Sequence, residues 1–212
     1  MTFLEFHKAM ASFIVFSNKD IMGIFRSIDR RRLYEWNKKG YITLLKNGYY
    51  IFTNFLEVPN VSFLVANCIY EPSYISCEYA LSYYSIIPES VFTITSVSSK
   101  KTANFKTRVG DFTYRNIKPS LFTGYDFVKI HFYPEGKILK RSVLIASPEK
   151  AFFDYIYYKS GNLTEKDIEE FRFDADSVKK MDRKILKKYL THVKNTNCKK
   201  NLNLIYSYYD II

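Results

Sequence analysis

Apolar residues recur at helical spacing near the start of the chain and at a spacing of two through its middle, and this change of period divides the sequence. "TFLEFHKAMASF" is amphipathic and predicts a first helix. "SNKDIMGIF" predicts a second, with Ser17 or Asn18 as its cap. Asp29 then precedes "RRRLYEWNKKG", where Leu33 and Trp36 share a helical face and Gly40 sits where a glycine ends a helix. A third helix of about ten residues is expected there. "YITLLK" and "YYIF" flank Asn47 and Gly48, a strong short-range signal for a hairpin. Three short helices followed by a hairpin is the order of a winged helix-turn-helix, whose third helix enters the major groove with the wing beside it. Phe13, Ile21, Phe25, Leu33, Trp36, Ile42 and Leu44 would form its core.

The pattern changes at "LEVPN", where proline and polar residues interrupt it, so a boundary is expected that leaves residues 1–57 as a DNA-binding domain and 58–212 as a second domain. In the second part, "EPSYISCEYALSYYSIIPES" predicts a helix capped by Ser76 and closed by Pro88, with Cys77, Ala80, Leu81 and Tyr84 on one stripe. "SVFTITSV", "NFKTRV", "DFTYRNI", "DFVKIHFY" and "KILKRSVLIA" alternate as strands, with turns at Gly110-Asp111 and Pro134-Glu135-Gly136. "SPEKAFFDYIYY" starts another helix with Ser147 as cap and Pro148 at its first position, burying Ala151, Phe152, Tyr155 and Ile156. Thr164 and Ser177 cap two more. The expected fold class is α+β: an N-terminal winged helix-turn-helix followed by a mixed α+β domain with a largely antiparallel sheet.

Charge sharpens this picture. The chain carries a net charge of +11, which favours polyanionic partners. Seven of the nine Lys and Arg residues in the first 57 positions lie between Arg26 and Lys46, where only Asp29 and Glu35 oppose them. With Leu33 and Trp36 turned inward, Arg31, Tyr34, Glu35 and Lys38 point outward, flanked by Arg30 and Arg32. Arginine there can take a guanine edge with both fork nitrogens, while Lys38, Lys39 and the wing's Lys46, beside Asn47, suit the DNA backbone. The alternative is a solvated surface helix on which Arg31, Glu35 and Lys39 form ion pairs at a spacing of four.

Other chemistry is sparse. No apolar run approaches the length of a membrane span, and the first residues carry Glu5 where a signal peptide would be basic then apolar, so no membrane contact and a cytoplasmic location are expected. Cys68, Cys77 and Cys198 have no metal-binding spacing, so neither metal nor cofactor is expected. There is no phosphate-cradling GxxxxGK[ST] loop, HExxH or GxSxG, and His7, His131 and His192 lack an evident partner for general-base work. Ser147 with Lys150 reads as a helix cap rather than a Ser-Lys catalytic pair. An enzyme is therefore not expected, and a nucleic-acid-processing enzyme is the weakest alternative. "SVKKMDRKILKKYLTHVK" predicts one basic amphipathic helix with Val178, Met181, Ile185, Tyr189 and Val193 inward, and Lys180, Arg183, Lys184 and Lys187 outward for phosphate contact or simple solvation.

The run "PSYIS", "ALSYY", "IPE" and the later "SPEKA", together with "LYEWNKKGYITLLKNGYYIF" at the start, resembles the AbiEi-type antitoxin and transcriptional-regulator family over nearly the whole chain to about Arg172. The resemblance implies a DNA-binding antitoxin of a type IV toxin-antitoxin, or abortive-infection, operon. It further implies repression of the protein's own promoter at inverted repeats of double-stranded DNA. A nucleotidyltransferase toxin would be opposed by the second domain without a stable complex. An orphan DNA-binding regulator without a toxin partner is the alternative within the same family.

Overall fold

The computed structural model describes residues 1–132, 139–193 and 196–209. Helix α1 (Phe3–Ala9) starts at Thr2, whose side chain and that of Glu5 each take the other's backbone N–H in a capping box. Strand β1 (Val15–Ser17) runs into α2 (Asn18–Ile24), where Ser17 and Asp20 repeat the device. Helix α3 (Arg30–Lys38) starts at Asp29, whose carboxylate accepts the Arg31 N–H at 2.9 Å. It ends before Gly40, which adopts φ +73, a conformation that disfavours a side chain. Strands β2 (Ile42–Lys46) and β3 (Tyr49–Phe52) form the hairpin around Asn47 and Gly48, and β1 adds to β3, giving a three-stranded antiparallel sheet in the order β1-β3-β2. Phe6, Ile21, Leu33, Trp36, Ile42 and Phe52 are buried between these helices and strands.

After α4 (Val61–Ile69) the chain builds a six-stranded mixed sheet from β4 (Ser73–Ile75), β5 (Ile94–Ser98), β6 (Ala103–Thr107), β7 (Gly110–Asn116), β8 (Tyr125–Phe132) and β9 (Leu139–Ala146). The order is β6-β7-β5-β4-β9-β8. Pairs β6·β7, β4·β5 and β8·β9 are antiparallel, while β5·β7 and β4·β9 are parallel, so the fold is α+β with mostly antiparallel pairing. Successive strand residues face opposite sides. Tyr114 therefore points to the α4 side, where its hydroxyl donates to the Ala66 carbonyl at 2.7 Å. Tyr74, paired with Val97 on the opposite face, meets the other helical layer, made of α5 (Cys77–Tyr83) and α6 (Pro148–Tyr157). Four further helices, α7 (Glu165–Phe171), α8 (Ala175–Lys180), α9 (Arg183–Thr191) and α10 (Thr196–Tyr208), close the chain. One cluster of buried side chains runs from Phe6 through Ile205.

Several expectations are corrected by this arrangement. Leu44 is 45% exposed although it keeps the register of buried Ile42, and the core position goes instead to Leu45, 5% exposed, the extra residue that a bulge between Leu44 and Lys46 adds to β2. The helix capped by Ser76 stops at Tyr83, with Ser85 in a left-handed conformation at φ +56, well before Pro88. Strand β4 occupies Ser73–Ile75, just ahead of the Ser76 cap and within the segment expected to be helical. The β6·β7 turn falls at Arg108 and Val109, one pair earlier than Gly110-Asp111, and the Pro134-Glu135-Gly136 turn lies outside the described residues. Asp174, not Ser177, caps α8: its carboxylate accepts the Ser177 N–H at 2.8 Å. The single basic helix is two, α8 and α9, because Asp182 starts a new cap there by accepting the Lys184 N–H at 2.7 Å. That restart turns Leu186 inward and leaves Ile185 37% exposed.

Candidate nucleic-acid interface

The outer side of α3 is exposed along its length. Leu33 and Trp36 face the core, with Trp36 at 4.7 Å from the Phe6 ring, and this fixes which residues turn away. Arg30, Arg31, Arg32, Tyr34, Glu35, Lys38 and Lys39 are all exposed, Tyr34 by 69%. Among the described residues Glu35 forms no ion pair, so the Arg31-Glu35-Lys39 ladder of the alternative reading is not made. Arg32 is tied down at one point, where a guanidinium nitrogen donates to the Met1 carbonyl. The remaining cations are held by a helix with a capped start and are open to a ligand.

The hairpin stands beside this helix. Asn37 accepts the Leu44 N–H on its side-chain oxygen at 2.9 Å, and the Tyr41 N–H donates to the Trp36 carbonyl at 2.9 Å, which locks β2 to the end of α3. Asn47 is exposed at the turn. Lys46 is half-buried, with its ammonium over the rings of Phe105, Tyr49 and Tyr70. The structure thus brings Arg30, Arg31, Arg32, Tyr34 and Lys38 onto α3 with Lys39 at its C-cap, leaves Asn47 exposed at the turn of the adjoining hairpin, and turns Lys46 away toward the six-stranded sheet.

In the C-terminal helices Lys180, Lys184 and Lys187 are exposed, with Lys184, Lys187 and Lys188 on one stripe of α9. Arg183 departs from the expected outward position. Its guanidinium lies 5.5 Å from the Tyr206 ring and one of its terminal nitrogens is buried without a partner.

A second constellation was not anticipated. Lys150 and Asp154, one turn apart on α6, form an ion pair with no exposed surface. The other Asp154 oxygen accepts the Ser76 hydroxyl at 2.7 Å and the Tyr74 hydroxyl at 3.0 Å. Burial raises the Asp154 pKa against the opposing pull of Lys150 and the two hydroxyls. Ser147 serves as the cap of α6, accepting the Lys150 N–H at 3.2 Å, while the Lys150 side chain goes to Asp154. The network ties β4 and the start of α5 to α6, and none of Tyr74, Ser76, Lys150 or Asp154 is open to solvent. A Lys and an Asp four apart among otherwise apolar helix residues was the available signal, since charges at such positions are buried only as pairs.

Burial sets the thiols. It pushes Cys68 up to about 12, with Glu71 and Asp20 adding to the effect, Cys198 up to about 11, and Cys77 well above its ordinary value. Among the described residues no group of three His, Cys, Asp or Glu side chains is placed to hold a metal ion. No described helix is long and apolar enough to cross a membrane. No protein-family model and no curated protein matches the chain.

Proposed function

We propose that this chain is a DNA-binding antitoxin of a type IV, AbiE-like toxin-antitoxin system. In this reading residues 1–57 are a winged helix-turn-helix that represses the protein's own operon, and residues 58–212 counter a nucleotidyltransferase toxin. The observation that carries DNA binding is the outer face of α3, where five exposed Arg and Lys residues, Arg30, Arg31, Arg32, Lys38 and Lys39, flank Tyr34 and form no ion pair with Glu35. A helix of that diameter and charge fits the major groove, where guanidinium forks read guanine and ammonium groups meet phosphate. The hairpin at the end of α3 supports the same docking, since a wing lies against the backbone beside the recognition helix. The toxin-opposing role rests on the family resemblance of the "PSYIS" and "SPEKA" segments, which meet at the Asp154 network.

Titration of a labelled duplex from upstream of the gene tests DNA binding. Arg31→Ala should weaken the preferred site by about 1–3 kcal/mol and narrow its margin over unrelated duplexes. Equal affinity of wild type and Arg31→Ala for every duplex would remove α3 from the interface. A nucleotidyltransferase open reading frame beside the gene, toxic when expressed alone, tests the antitoxin half.

A further inference from the structure

The hairpin's last residue before the turn is fastened to another part of the molecule. The Lys46 ammonium lies 4.4 Å from the centre of the Phe105 ring, 4.8 Å from Tyr49 and 5.5 Å from Tyr70. Tyr49 belongs to the hairpin, but Tyr70 follows α4 and Phe105 lies on β6, the edge strand of the six-stranded sheet. The cage stands on its own supports. Tyr70 packs on Tyr114 at 4.8 Å, Phe105 packs on Tyr114 at 5.7 Å, and Tyr114 is fully buried. The Tyr70 hydroxyl donates to the Lys101 carbonyl at 2.7 Å. Burial and the neighbouring Lys100 hold the Lys46 pKa below the ordinary lysine value, a cost that the negative ring faces offset. Among the described residues Lys46 has no carboxylate partner.

Position in the sequence suggests a wing lysine reaching a phosphate, yet an ammonium seated over three rings is not also on the DNA backbone. The β2 bulge is the local cause: by inserting Leu45 into the core it resets the strand's phase just ahead of Lys46. Taking the DNA-binding reading as premise, we propose that Lys46 is a positioning residue, a cation–π latch that fastens the hairpin to Tyr70 and Phe105 and so fixes the orientation of α3 relative to the six-stranded sheet. Phe105, far along the chain from α3, then contributes to DNA binding through the angle at which the helix is presented. No phosphate contact of Lys46 is involved.

The test uses the full chain with Lys46→Met, Phe105→Leu, Phe105→Tyr and the Lys46→Met/Phe105→Leu pair, titrated against the upstream duplex over a range of salt. A latch predicts that Lys46→Met and Phe105→Leu each weaken binding about 3- to 10-fold, within the range of a partly desolvated cation–π contact. The pair should be no weaker than the weaker single variant, and Phe105→Tyr should bind as wild type because it keeps the ring. Lys46→Met should retain the wild-type salt slope. A slope reduced by about 0.9 in Lys46→Met, with Phe105→Leu binding as wild type, makes Lys46 a phosphate contact and overturns the latch. Additive losses in the pair, or wild-type binding by Phe105→Leu alone, also overturn it. Should the wild type bind no duplex, the DNA-binding reading fails instead. The latch is then decided by urea unfolding of the wild type and the same four variants, where coupled losses support it and additive ones sink it.

Discussion

A lysine with no exposed surface persists in α6 because Asp154 supplies its countercharge and two hydroxyls satisfy the remaining carboxylate oxygen. Such a pair costs a great deal to break and little to replace whole. Lys150→Met leaves a buried carboxylate uncompensated and should lose about 3–5 kcal/mol in urea unfolding, whereas Lys150→Met/Asp154→Leu should lose less than that single variant. A double variant that loses the sum of the two singles would mean the pair is not coupled. Gly124 serves the same region by being small: at φ +78, an added Cβ would overlap the Tyr189 hydroxyl and crowd Lys150. Gly124→Ala should therefore cost at least about 2 kcal/mol, through both backbone strain and overpacking. The thiols give a chemical check on burial. With Cys68 pushed up to about 12 and Cys198 to about 11, the thiolate fraction at pH 8 is on the order of one part in a thousand or less. Alkylation of Cys77 and Cys198, buried where Cys68 is only half-buried, should be slow in the folded protein at that pH and accelerate steeply in denaturant; rapid native labelling of either would contradict its burial.

Elements were legible wherever punctuation and period agreed. Asp29, Ser17, Ser147 and Thr164 begin helices as their side chains suggest, and Asn47-Gly48 turns the hairpin, because each signal is local and its physics is contained in a few residues. What escaped was set by neighbours far along the chain. Strands β1 and β4 are three residues each, too short to show a period, and exist because β3, β5 and β9 offer them ladders. The Asp154 network joins side chains nearly eighty positions apart, which no spacing encodes. The bulge in β2 made alternation misleading, and it yields a test at this scale. Leu44→Lys, on the exposed side, should change stability by no more than about 0.5 kcal/mol. Leu45→Lys, which places an ammonium in the core, should cost several times as much or prevent folding. Equal effects would show that Leu45, the bulge residue, is not the side chain that β2 sends into the core. The same lesson holds for α8 and α9: apolar residues continued at helical spacing through Met181, but the Asp182 cap restarted the count and exchanged Ile185 for Leu186 in the core.

For the whole molecule, the basic face of α3 and the Asp154 network lie in different parts of the chain, so the two proposed activities should be separable without cutting it. Removing charge from α3 should leave the buried contacts of the six-stranded sheet in place, since Arg31 and Lys38 are exposed and form no ion pair among the described residues. In full-length protein, Arg31→Ala/Lys38→Ala should melt within about a degree or two of wild type, because exposed substitutions away from caps and cores change stability little. It should bind the upstream duplex with a salt slope smaller by about 0.9 if Lys38 alone meets a phosphate, and by about twice that if Arg31 does so too. In cells carrying the adjacent nucleotidyltransferase, a promoter fusion should be derepressed while growth protection by the variant, expressed from a separate inducible promoter, stays at the wild-type level. Lys150→Met, which weakens a buried pair and not one surface, should instead lose protection and repression together, both following the folded fraction along one melting curve. Loss of protection in a well-folded Arg31→Ala/Lys38→Ala protein would show that the α3 face takes part in opposing the toxin, and the assignment of that task to residues 58–212 would be wrong.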